Sequence, residues 1–256
     1  MRQFHILGAF LMLAAWSATF TAPGNNTHSN TASGWQIGSA AHAGVRWTPD
    51  PERGSASTTM SGGRRGTPFA ACALDDEQPD PAITLLVPDG GVSLTTEATP
   101  TLSWFIESEN QVSMEFVLSD PESASPVYSK QLQSGTGLVE VTLPESAALD
   151  VGTPYRWTVF VDCEGGDYTI HARSFVERMA VDGMADGMLS AGASSLERAN
   201  FYASNGIWYD ALNTLVSSYR ADGEMTTLLE IRELLRQAET EVPLELSLAT
   251  ESAADS

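Results

Sequence analysis

A change of hydrophobic period near residue 180 constrains this chain more than any other feature. Upstream, short β-rich runs recur: Ile83–Val87, Thr101–Ile106, Ser113–Leu118, Val127–Leu132, Leu138–Leu143, Tyr155–Val161 and Tyr168–Val176. Turn-forming clusters separate them, among them Pro88-Asp89-Gly90-Gly91, Ser134-Gly135-Thr136-Gly137 and Gly165-Gly166-Asp167. Short strands with regular turns predict an all-β sandwich over residues 72–180. Alternation in Val139–Leu143 and Tyr155–Val159 puts one face of each strand in a core and the other in water. Downstream, helices are predicted over Ser194–Ser204, Ile207–Arg220 and Met225–Ala238, with Ser194 or Ser195 as the first cap. Ile207, Ala211, Leu212 and Leu215 share one face of the second helix. Residues 190–242 are thus a helical module, joined to the sandwich by the small-residue stretch Val181–Gly187 and followed by an acidic tail, 243–256, expected to be disordered.

Local motifs refine both parts. Trp104 stands inside an early strand, where sandwiches bury an aromatic residue. Leu149-Asp150-Val151-Gly152-Thr153-Pro154-Tyr155 resembles the tyrosine corner of fibronectin type III and immunoglobulin-like domains. In that motif a tyrosine hydroxyl returns to the upstream backbone and Gly152 permits the turn. Trp104 and Trp157 are packing residues first and ligand-stacking residues second. In the helices, Ala199, Tyr202, Gly206, Trp208 and Ala211 fall at the spacing of a tetratricopeptide repeat. One repeat and a further helix are short for a solenoid, so the module is expected to pack on the sandwich or on a partner chain.

The N-terminal region has a different character. Arg2 precedes an apolar run, Phe4–Trp16, of secretory length and too short for a comfortable membrane span. Residues 1–22 are therefore expected to be a signal peptide and the mature chain to be extracytoplasmic, periplasmic or secreted, without stable membrane insertion. Cleavage motifs occur at Ala15-Trp16-Ser17 and, farther from the apolar run, at Ala41-His42-Ala43. Residues 23–71, rich in Gly, Ser, Thr, Asn and Pro, are expected to be a disordered linker. Cys72 and Cys163 flank the β-region, and an even pair in an exported chain suggests a disulfide, two buried thiols being the alternative.

Charge excludes one class of partner. The net charge is −20, with five arginines against two acids up to residue 68 and eight basic against thirty-one acidic residues beyond it. Such a surface repels nucleic acid and stays soluble. It also suits a salty medium, where self-repulsion is screened.

ITLLVPDGG, PTLSWFI, VGTPYRWTVFVDC and above all LERANFYASNGIWYDALNTLVSSYR resemble the domain-of-unknown-function family 928, found mostly in cyanobacteria. The resemblance covers residues 62–240 and implies an exported protein with no established activity. It supplies no catalytic residue. Nor do the motifs: HExxH, GxSxG, a dinucleotide-binding GxGxxG and an EF-hand loop are all missing from the sequence. His171 stands alone on a strand, Glu115 and Glu140 have no identifiable partner carboxylate, and Asp75-Asp76-Glu77 with Asp80 lacks the spacing of a calcium loop. No catalytic residue, cofactor or metal is therefore assigned. The reading is a non-catalytic exported protein that binds or scaffolds another protein in the cell envelope. An accessory or catalytic subunit of an extracytoplasmic enzyme and a carbohydrate-binding module are the alternatives.

Overall fold

The computed structural model describes residues 44–49, 81–122, 125–162, 169–180, 192–240 and 242–243. The chain divides into two units, Met1–Ala41 and His42–Ser256, and every described residue belongs to the second. The proposed signal peptide, Cys72, Cys163, the acidic stretch 75–80 and most of the linker and tail lie outside the described residues.

The strands are β1 (Ala82–Leu85), β2 (Val92–Thr95), β3 (Thr101–Glu107), β4 (Val112–Ser119), β5 (Pro126–Ser134), β6 (Gly137–Thr142), β7 (Pro154–Asp162) and β8 (Thr169–Arg178). They form two sheets, one of order β1-β3-β6 and one of order β2-β8-β7-β4-β5. Pairing is antiparallel except between β2 and β8, where Val92–Thr95 run parallel to Phe175–Arg178. Each predicted strand is present. The sequence reading missed β2, whose four residues are too few to display a period and whose partner is distant in sequence.

Alternation places the core. On β4, Met114, Phe116 and Leu118 are buried; on β7, Tyr155, Trp157, Val159 and Val161 are. Trp104 from the smaller sheet stacks on Phe116 of the larger at 6.1 Å and meets Trp157 at 6.4 Å, so the two sheets face each other across these rings. β3 is buried on both sides: Leu102, Trp104 and Ile106 alternate with Ser103 and Phe105, and all five are under 3% exposed. That double burial explains the almost uninterrupted apolar run in TLSWFI.

The helices are α1 (Ser195–Ser204), α2 (Trp208–Asp222) and α3 (Met225–Gln237). Ser194 caps α1 in a reciprocal box: its hydroxyl accepts from Glu197 N, and the Glu197 carboxylate accepts from Ser194 N. Gly206 (φ +74°) and Gly223 (φ +67°) adopt the left-handed backbone that ends α1 and α2. Ala199 and Ala203 of α1 and Ala211 of α2 are fully buried, small enough to let these two helices approach closely. The helical core continues without a break into that of the sheets. The sequence boundary at 180–190 therefore separates two secondary-structure classes that share one core.

One segment of the expected linker, 23–71, is among the described residues. Gly44–Pro49 is extended and docked against the helices, with Val45 buried.

Candidate functional site

The densest concentration of polar chemistry is the seam where α2 meets the sheets. Gly206 and Ile207 turn the chain so that the first turn of α2 presents three consecutive large or charged side chains. Trp208 Nε1 donates to Leu86 O, just beyond β1, at 2.8 Å. The Tyr209 hydroxyl accepts from Trp157 Nε1 at 2.9 Å and donates to Phe175 O at 3.2 Å, reaching β7 and β8. Asp210 accepts from Thr96 N at 3.2 and 3.1 Å and from Thr96 Oγ1 at 2.5 Å, beyond β2. Farther along α2, Asn213 Nδ2 donates to Thr101 O at 2.9 Å, and Arg220 forms an ion pair with Glu140 of β6. After α3, Thr240 Oγ1 donates to Val87 O at 3.1 Å. A single helix is thus hydrogen-bonded to strands of both sheets.

Burial sets the electrostatics. Asp210 is 5% exposed. Desolvation raises its pKa, opposed by the hydrogen bonds from Thr96 and Thr95 and helped slightly by the nearby Glu97 charge. Desolvation also raises the pKa of Tyr209, against the effect of its bond from Trp157, so its hydroxyl stays protonated. A raised carboxylate is one mark of a general acid. Here its hydrogen bonds all tie protein to protein, and the arrangement joins layers of the fold.

A second polar array lies between α1 and α3, where Gly44–Pro49 is seated. Val45 N donates to Glu230 Oε2 at 2.8 Å, and Trp47 N donates to Gln237 Oε1 at 2.7 Å, both on α3. Arg46 N donates to Asn200 Oδ1 at 3.1 Å, and Thr48 N donates to Ala203 O at 3.0 Å, both on α1. Gln237 Nε2 returns a bond to Val45 O at 2.9 Å. Successive amides of an extended chain point to opposite sides, so the segment is held alternately by the two helices. Its side chains alternate too: Val45 is buried, Trp47 half-buried and edge-on to Trp208 at 4.9 Å, while Arg46 and Thr48 are exposed. A Cβ on Gly44 would lie 3.0 Å from Glu230 Oε2, so the backbone passes closer to that carboxylate than a larger residue allows without displacing it.

The residues singled out from sequence fall into three places. Trp104 is in the intersheet core, with its indole N–H lacking a hydrogen-bond partner among the described residues. Gly152 has φ +76°, and Tyr155 sits five residues from Asp150, its hydroxyl 3.5 Å from Asp150 N and 3.3 Å from Asp150 Oδ2. Ala199, Trp208 and Ala211 are buried together in the helical layer, with Gly206 at the turn and Tyr202 half-buried on α1. Cys72 and Cys163 are outside the described residues. His171 is exposed, 5.8 Å from the Phe160 ring, and Glu115 lies opposite Phe160 on β4. Sequence reasoning missed Tyr209, Thr96, Asn213, Val45 and Trp47. The one available signal was the polar or aromatic residue type at each of the first three α2 positions, whose polar atoms a helix buried on that side must satisfy.

Among the described residues, no group of three or more His, Cys, Asp or Glu is placed to hold a metal ion. Among them, too, no helix is long and apolar enough to cross a membrane. No curated protein matches the chain. A family model does match it, over residues 60–251, which takes in the eight strands and three helices of the described residues. The chain belongs to the family described as Domain of Unknown Function (DUF928).

Proposed function

We propose that this protein is an exported, non-catalytic component of the cell envelope that binds another protein, with the β-sheets and helices acting as one rigid body. In this reading the sheets are a fibronectin type III or immunoglobulin-like sandwich. The sheet orders, the parallel β2–β8 pair, the left-handed Gly152 and the Tyr155–Asp150 contact support it. The helices form a tetratricopeptide-like hairpin extended by α3, supported by the burial of Ala199, Trp208 and Ala211. Export rests on the apolar run Phe4–Trp16 behind Arg2.

The observation that carries protein binding is on α3. Met225 and Leu229 are 62% and 54% exposed and lie one turn apart, so they share a face that presents apolar surface to solvent. Trp208, Tyr209 and Asp210, by contrast, are hydrogen-bonded within the fold, which suits a rigid support better than a reaction centre. The test is co-purification of partners from an extracytoplasmic fraction with the tagged full chain and with a Met225→Ser/Leu229→Ser variant. The variant should lose its partner while keeping its melting temperature. Capture unchanged by that variant, and by a surface scan across residues 195–238, would place the contact on the sheets instead.

A further inference from the structure

The seat of Gly44–Pro49 has the features of a peptide site. Its amides from residue 45 to 48 are each held by an acceptor on α1 or α3, and one glutamine brackets both Val45 O and Trp47 N. Four of these five bonds come from side chains, so the backbone is recognised without completing a sheet or a helix. Only the first and third side chains of Val45-Arg46-Trp47 enter the groove, and the exposed Arg46 and Thr48 leave those positions open to other residues. Residues 50–81 separate the segment from β1, and the hydrogen bonds that hold it all come from residues more than 150 positions away. Occupancy in cis is then governed by effective concentration, which a ligand of matching chemistry can outcompete.

We propose that the groove between α1 and α3 is a peptide-binding site for a partner protein's extended segment carrying glycine, an aliphatic residue and, two positions beyond that, tryptophan, and that Gly44–Pro49 occupies it as a competitor in cis. Glycine is favoured, not required, because a Cβ there would displace Glu230 Oε2 by a few tenths of an ångström; the aliphatic side chain is specified by the Val45 seat and tryptophan by the edge-on contact with Trp208. This inference rests on the protein-binding reading and names the partner's chemistry.

The probe is a fluorescent synthetic peptide with the sequence of residues 43–49, acetylated at its N-terminus. The receiver is the full chain with Val45→Ala and Trp47→Ala, its fold checked by circular dichroism and melting. The peptide should bind this variant saturably and the wild type more weakly. Alanine in place of the peptide's tryptophan should weaken binding by about thirtyfold. Gln237→Ala in the receiver should weaken it by about tenfold. Should the double variant fail to fold, hydrogen exchange on the wild type gives the same answer: excess peptide should speed exchange of amides 45–48. No binding up to millimolar peptide by a folded receiver, with unchanged exchange in the wild type, would overturn the proposal. So would a concentration-dependent dimer abolished by Trp47→Ala, because the groove's second occupant would then be another copy's arm. Either failure leaves the Met225/Leu229 capture experiment standing, since that is read on different residues.

Discussion

Asp210 offers the sharpest test of how the helices are fixed to the sheets. Its carboxylate is 5% exposed and takes both the amide and the hydroxyl of Thr96. Asp210→Ala removes the acceptor and strands those donors in a partly buried site. Hydrogen bonds to a charged group are worth about 1.5–3 kcal/mol, and an orphaned buried donor costs about 1–3 kcal/mol, so a loss of about 3 kcal/mol is expected. Asp210→Asn keeps one oxygen for the same donors and removes the charge, so it should cost much less. The pH dependence separates the two effects. Because burial raises the folded-state pKa above the unfolded value of about 3.9, the unfolded chain ionises first as pH rises. Asp210 then contributes stability that is complete below the unfolded pKa and is lost as pH rises through the folded pKa. The asparagine variant does not titrate, so its stability relative to wild type should climb over that window and then level off. The other carboxylates cancel in the difference. Urea unfolding of the wild type and both variants at a series of pH values from 3 to 8 measures it. A flat difference, or one that falls with pH, would refute a desolvated carboxylate at this seam.

Four further outcomes are expected. Gly152→Val should lower the urea midpoint more than Tyr155→Phe, because a β-branched residue at φ +76° costs about 1–2 kcal/mol, whereas the hydroxyl's long contacts to Asp150 are worth about 1 kcal/mol or less. Tyr209→Phe leaves Trp157 Nε1 and Phe175 O without their partner and should cost about 2 kcal/mol, with a change in the near-ultraviolet circular dichroism of the buried tryptophan. Ala211→Leu should overpack the α1–α2 contact by about 1–3 kcal/mol, read as a lower melting temperature. Cys72 and Cys163 should resist alkylation in the native protein until a reductant is added, and reduction should lower the melting temperature; free thiols without reductant would discard the pairing.

What could be read from the sequence was local. β6 and β7 announce themselves by alternation in Val139–Leu143 and Tyr155–Val159, and α1 by its capping serine, because each pattern is complete within a few residues. The helix faces were equally legible, since Ile207, Ala211, Leu212 and Leu215 repeat at helical spacing and all are buried. What failed was non-local. Asp210 and Thr96 are 114 positions apart, and neither residue carries a mark of the other. Val45 and Trp47 sit in a stretch whose composition reads as linker; their order comes from Glu230 and Gln237, some 185–190 residues downstream. β2 depends in the same way on a parallel partner that arrives only with β8.

The chain contains one lysine, Lys130, and it is exposed on β5, the outermost strand of the larger sheet. A charge at that place discourages another β-edge from adding on, so a single ammonium guards the edge strand. It also makes the molecule chemically addressable. Apart from the α-amine, an amine-reactive dye, cross-linker or sensor surface has one point of attachment. Every copy coupled through it would be held by the same sheet margin and in the same orientation.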